Sequence, residues 1–86
     1  MAKVVASYEI GVAYEQWKTL FLANEETRNS AGIMTVYYGH ELDNEQKLHV
    51  VFEAPSIEEF KQFMAKISEK MKEAGVNPET MAFCTD

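Results

Sequence analysis

The sequence predicts an α+β domain with the element order β-α-β-β-α-β, a four-stranded antiparallel sheet with helices on one face. Three observations carry this prediction. First, the chain nearly repeats itself. Tyr14-Glu15-Gln16-Trp17-Lys18-Thr19-Leu20-Phe21 opens a run that closes at Ala31-Gly32-Ile33, and Ile57-Glu58-Glu59-Phe60-Lys61-Gln62-Phe63-Met64 opens one that closes at Ala74-Gly75-Val76. Second, the offset is constant: positions 14 and 57, and 32 and 75, are each 43 apart, half of the 86 residues. Third, the segment between the runs reads strand, short polar turn, strand, which is an antiparallel hairpin.

Lys3–Ile10 is β-rich, with Val4, Ala6, Tyr8 and Ile10 on one face and Val5, Ser7 and Glu9 on the other. Gly11 ends it. A helix is expected from about Ala13 to Leu22, where Ala13, Trp17, Leu20, Phe21 and Asn24 fall at helical spacing. The pattern weakens there. Asn24 followed by Glu25 and Glu26 reads as a fresh N-cap, so a break near Ala23 and a short second helix through Ser30 are expected. Gly32 supplies the stop.

Ile33–Glu41 is rich in β-branched and aromatic residues and reads as a strand. Gly39 within it points to a bulge or the close approach of another backbone. Asp43-Asn44-Glu45-Gln46 is a polar turn, and Leu48–Ala54 the next strand. Pro55 blocks continuation, and Ser56-Ile57-Glu58-Glu59 is a capping box. Behind it Ile57, Phe60, Met64, Ile67 and Met71 give the clearest helical period in the chain, up to a stop at Gly75. Asn77-Pro78 makes a turn, and Thr80–Thr85 a last short strand. With right-handed crossovers the two halves interleave into the ferredoxin-like arrangement.

A chain of 86 residues is one domain, residues 1–86. Its 47% hydrophobic and 12% aromatic content is generous for a core so small, and surplus apolar surface commonly goes into an oligomer interface. Eight basic against fourteen acidic residues give a net charge of −6, which disfavours nucleic acid and membrane surfaces as partners. One cysteine, Cys84, implies no disulfide framework. The start of the chain runs directly into a strand rather than a secretory leader, so a cytoplasmic location is expected.

Helices cover one sheet face, and the other must meet water, a ligand or another subunit. Leu48, Val50, Phe52 and Ala54 are the better core face of their strand, which sends His49, Val51 and Glu53 to the uncovered side beside Val5, Ser7 and Glu9. The preceding strand has two possible registers, and a slip of one residue exchanges its faces. In one, His40 lies opposite His49 and Tyr38 opposite Val51, so Met34, Val36, Tyr38 and His40 line the uncovered face. In the other, Tyr37 lies opposite Glu53 and Glu41 opposite His49. The first is slightly preferred, and it makes an apolar wall with two histidines at its rim. Two such faces packed together would close a barrel around a cavity with apolar walls and a few polar groups, which suits a small molecule. Candidate ligand-binding residues are therefore His49, Glu53, Glu9 and Tyr38, with His40 next. Glu9 and Glu53 would raise each other's pKa if a dimer cavity brought them together out of water. No metal or cofactor is implied. His49 and Glu53 are separated by about 13 Å along a strand, too far to share a metal.

Other chemistries leave no trace. There is no Gly-rich phosphate loop, no G-x-S-x-G elbow and no C-x-x-C. Arg28 is the one arginine, so no phosphate cradle follows the first strand.

Taken together, Y-E-Q-W-K-x-x-F, R-x-x-A-G-I, V-V-F-E-A-P-S-x-E-x-F and M-x-x-A-G-V resemble the small stand-alone dimeric α/β-barrel proteins. That superfamily includes antibiotic-biosynthesis-type monooxygenases and stress-responsive barrel proteins. The matching positions, among them Tyr14, Trp17, Phe21, Arg28, Gly32, Phe52, Phe60, Met71 and Gly75, are mostly helix-packing or turn residues. The resemblance implies a homodimer whose sheets face one another, with an apolar or aromatic molecule held inside the barrel or between sheet and helices. The Asn, Trp and His set of the haem-degrading members does not carry over, because no Asn lies in the first strand. Two classes stay open. One is a protein that binds a small apolar organic molecule, with or without cofactor-independent monooxygenase- or isomerase-like activity. The other is a non-enzymatic interaction, regulatory or stress-responsive module whose dimer is the working unit.

Overall fold

The computed structural model describes residues 1–86. Its elements are β1 (Ala2–Ile10), α1 (Tyr14–Ala23), α2 (Glu25–Ser30), β2 (Met34–Glu41), β3 (Asn44–Ala54), α3 (Ile57–Lys66), α4 (Ser68–Glu73) and β4 (Val76–Thr85). The strands form one antiparallel sheet in the order β2-β3-β1-β4, the ferredoxin-like arrangement the repeat predicts. Alternation places the core. Val4, Ala6, Tyr8 and Ile10 of β1 are buried, as are Leu48, Val50, Phe52 and Ala54 of β3, and Trp17, Phe60 and Phe63 come down on them from the helices. Burying a side chain such as Phe60 contributes about 1.5–3 kcal/mol.

The two halves are related in detail. Ser56 starts α3 as the sequence indicates: its Oγ accepts from the Glu59 amide at 3.1 Å, and its hydroxyl donates to the Glu59 carboxylate at 3.2 Å. Ala13, at the equivalent position of α1, offers no side-chain cap. Asn24 does break the first helix, yet it is not a side-chain cap. Its Nδ2 donates to the Leu20 carbonyl at 2.9 Å. The backbone bonds run on through it, from the Asn24 amide to Leu20 O and from the Arg28 amide to Asn24 O, so the break is a bend.

The second helical segment departs from expectation. Its continuous apolar period predicts one helix, but the structure bends it at Ile67, 43 residues after Asn24. The two residues share one backbone conformation, φ −97° and ψ 7° at Asn24 and φ −99° and ψ 8° at Ile67. A bend of this kind lets an amphipathic helix follow the curved core beneath it without losing its apolar stripe.

Gly32 and Gly75 have positive φ, 81° and 89°. Each packs against the other half of the chain. A Cβ on Gly32 would lie 2.9 Å from Pro55 Cγ, and one on Gly75 2.7 Å from Val12 Cγ1. Val12 and Pro55 are themselves equivalent positions, so each glycine turn closes against the strand-to-helix junction of its counterpart.

The register of β2 on β3 differs from both registers read in the sequence. Met34 pairs with Glu53 and Thr35 with Phe52, but Tyr37 pairs with Val51, Tyr38 with Val50, Gly39 with His49 and His40 with Leu48. One extra residue, Val36, is taken up in a bulge. β2 therefore begins with the facing of one expected register and ends with that of the other. The preferred placement of Tyr38 and His40 on the uncovered face is thereby corrected: both lie on the helix side, and Tyr37 and Gly39 take the uncovered side. The bulge is not at Gly39. What closes on Gly39 is a side chain, the Tyr37 phenol, whose oxygen would be 2.6 Å from an added Cβ.

Two further boundaries move. The hairpin turn is Leu42-Asp43, and β3 starts at Asn44. β4 runs from Val76, pairing with β1 on both sides of the expected Asn77-Pro78 irregularity. There the Thr80 hydroxyl accepts from the Glu9 amide at 2.8 Å and donates to Asn77 O at 2.7 Å, replacing a missing rung of the ladder.

Gly75→Ala should cost about 1–3 kcal/mol, because a Cβ meets both a positive φ and the Val12 side chain. Gly11→Ala, with nothing nearer than 4.0 Å, should stay within about 0.5 kcal/mol of the parent. Urea unfolding of the two variants measures both.

Candidate functional site

On the uncovered face the ladder sets side chains in rows across the sheet. Tyr37, Val51, Val5 and Cys84 form one row through all four strands. Gly39, His49, Ser7 and Ala82 form the next, and Met34, Glu53 and Lys3 lie on the other side of the first. Val5, Met34 and Tyr37 are exposed, at 39%, 46% and 56%. The face is thus an apolar belt between polar rows.

Three of the five sequence candidates, Glu9, His49 and Glu53, lie on this face, in three different rows. Glu9 is opposite Lys47, and Glu53 opposite Lys3. With three intervals between their rows, Glu9 and Glu53 are about 20 Å apart within one chain. His49 has a partner of its own: its Nε2 is 2.8 Å from Glu41 Oε2, on an open surface where such a pair contributes little.

Tyr38 and His40 belong to the other side of the sheet. Tyr38 packs near Trp17 and Phe21, with ring centroids 6.2 and 5.4 Å away. His40 meets Tyr14 edge-on at 4.6 Å, and its Nδ1 is 2.8 Å from the Glu41 carbonyl. A carbonyl only accepts, so Nδ1 carries a proton. The two histidines face opposite ways and cannot share a metal, and no three His, Cys, Asp or Glu side chains gather anywhere in the chain.

A partly open space lies on the helix side, smaller than the two surface grooves of about 300 and 240 Å³ elsewhere on the chain. A cleft of about 70 Å³ opens between the bent helices and the sheet, with fourteen hydrophobic residues among its eighteen. Trp17, Phe21, Phe63 and Met64 contribute to its walls, and Ala6 and Tyr8 reach it from β1. Burial raises the Tyr8 phenol well above the usual value of 10, against smaller opposing effects of Trp17 and Arg28, so it is a neutral hydroxyl.

Arg28 is the residue that sequence reasoning missed as a candidate. It lines the cleft and is only 5% exposed. Its guanidinium carbon sits 3.8 Å above the Phe21 ring, which stacks in turn on Trp17 at 4.7 Å. Its Nε donates to Thr35 Oγ1 at 3.2 Å. No carboxylate forms an ion pair with it, and its Nη2 is buried without a hydrogen-bond partner. Desolvation lowers its pKa, and Glu25 and Tyr8 act in the opposite direction. A signal for Arg28 existed in the repeat: its equivalent, 43 residues on, is Met71, part of the apolar stripe. A charge at a position that is apolar in the other half marks a buried charge.

A family model described as Domain of unknown function (DUF3764) matches residues 1–85. The chain belongs to the DUF3764 family. No curated protein matches it. Among solved structures, a candidate antibiotic biosynthesis monooxygenase from Deinococcus radiodurans superposes with a TM-score of 0.65 at 7% identity, over 100% of this chain and 90% of that one. A dimeric ferredoxin-like protein from an uncultured marine organism aligns over 100% and 91%, with a TM-score of 0.46 at 14% identity. At 7% identity the Deinococcus likeness is one of fold, the ferredoxin-like arrangement expected from the sequence. The DUF3764 chain has no helix long and apolar enough to cross a membrane.

A buried cation without a counter-ion opposes folding. Arg28→Met should therefore leave the DUF3764 protein as stable as the parent or up to about 2 kcal/mol more stable, despite losing the Thr35 bond and the Phe21 stack. Thermal and urea denaturation of the variant read this directly.

Proposed function

We propose that this protein is a cytoplasmic homodimer that binds a small, mainly apolar organic molecule in the cleft between its helices and its sheet. The observation that carries the reading is the cleft itself: an aromatic- and Met-lined space with one buried, unpartnered polar group, the composition of small-molecule sites. Its 70 Å³ is less than half of the roughly 150 Å³ that holds a benzene ring, so a ring or short chain there extends into the open mouth. Any chemistry there would be cofactor-independent, of the monooxygenase or isomerase kind, with Tyr8 and Arg28 the polar groups nearest the ligand.

The dimer rests on the uncovered face. Val5, Val51, Tyr37 and Cys84 make an apolar belt of a kind that a second copy covers well. In that dimer Glu9, His49 and Glu53 flank the belt as the polar groups between the two sheets. The belt also favours a second reading. If the belts pack solidly, the space between the sheets is filled, and the dimer is itself the working unit of an interaction or regulatory module.

Two measurements separate these readings. Native mass spectrometry of freshly purified protein should show a co-purified small molecule released on denaturation. Repeated preparations carrying none, together with no Trp17 response to small aromatic compounds, would remove the ligand reading and leave the module. Light scattering at micromolar concentration should give twice 9.8 kDa, and Val51→Glu, which sets a charge in the belt, should give the single mass with its circular dichroism retained. A parent that runs at 9.8 kDa would end the dimer proposal.

A further inference from the structure

The lining of the cleft is electrically one-sided. The chain as a whole carries −6, yet no Asp or Glu is among the eighteen residues around this space, while two cations are: Arg28 within and Lys70 at the exposed mouth. A buried guanidinium ordinarily meets a carboxylate of its own protein. Here its Nη2 meets none and is closed off from solvent, so a ligand reaches it only as neighbouring side chains give way, while the stack on Phe21 and the bond to Thr35 hold the rest of the group. The groove at the β2 edge, which Arg28 also borders, includes Glu25 and would repel an anion. The cleft would not.

We infer that the cleft accepts a small organic carboxylate, the carboxylate oxygen accepting from Arg28 Nη2 and the apolar body lying among Trp17, Phe21, Phe63 and Met64. This rests on the reading of the cleft as a ligand site and names the class of ligand. A carboxylate satisfies the donor that the protein leaves free and neutralises the cation where solvent cannot. A neutral ligand does only the first. Lys70 at the mouth adds attraction for an anion approaching a chain that otherwise repels it.

The test compares acids with their amides, which match in shape and differ in charge. Benzoate and benzamide form one pair, hexanoate and hexanamide the other. The readout is the indole N–H resonance of Trp17, the single tryptophan, in the full chain. Each acid should bind about tenfold more tightly than its amide. In Arg28→Met, which installs the residue the repeat holds at position 71, the preference should disappear while the amide still binds. Arg28→Lys should keep part of it. Equal affinity of acid and amide in the parent would overturn this inference and leave the cleft standing as a ligand site. A preference that survives Arg28→Met would overturn it too, because the charge would be recognised elsewhere. No Trp17 response to any of the four compounds would overturn the reading of the cleft, and this inference with it.

Discussion

Two bends decide where space is left inside this molecule. Asn24 and Ile67 interrupt the helical segments at equivalent positions and in the same conformation, and both residues line the cleft. The helices hold to the sheet through Trp17, Phe60 and Phe63. Ala6 and Phe52 of the sheet also line the cleft. The cleft thus lies across the relation between the halves. Phe21 and Met64, Leu20 and Phe63, and Thr27 and Lys70 are equivalent pairs, and all six line it.

On such a quasi-symmetric surface, polarity comes only from positions where the halves differ. Arg28 and Met71 are the sharpest difference. The methionine is what that position needs for packing, so the arginine is a departure that the fold tolerates by stacking it and giving it one hydroxyl. The strands differ more often, at Glu9, His49 and Glu53, but those side chains stand in separate rows on an open face. Among these differences, Arg28 alone is buried.

Much of this was legible in the sequence. β1 and β3 lie centrally in the sheet, and their strict alternation names the core and the uncovered face residue by residue. The glycine stops fall at the same offset in both halves. β2 was not legible, because Met34-Thr35-Val36-Tyr37-Tyr38 has no polar alternation to reveal where a residue has been inserted, and the bulge at Val36 switches every later side chain. That switch moved Tyr38 and His40 away from Glu9, His49 and Glu53. The bend at Ile67 was hidden for a related reason: the apolar period passes through it unbroken, since the bend preserves the face it presents. Arg28 was read past because charge on a short, acidic helical segment ordinarily belongs to the solvent.

The strand order has a kinetic consequence. Only β2 and β3 are neighbours both in sequence and in the sheet. β1 lies between β3 and β4, so its two edges are completed by segments from the middle and the far end of the chain. The hairpin can form locally within microseconds, but the sheet cannot be finished until β1 and β4 have found each other across nearly the whole polypeptide, and closing so long a loop places folding in the millisecond range or slower. Until then β1 shows an open edge and the apolar belt is incomplete. The pairing that spans the most chain is also the one that carries Cys84 into that belt.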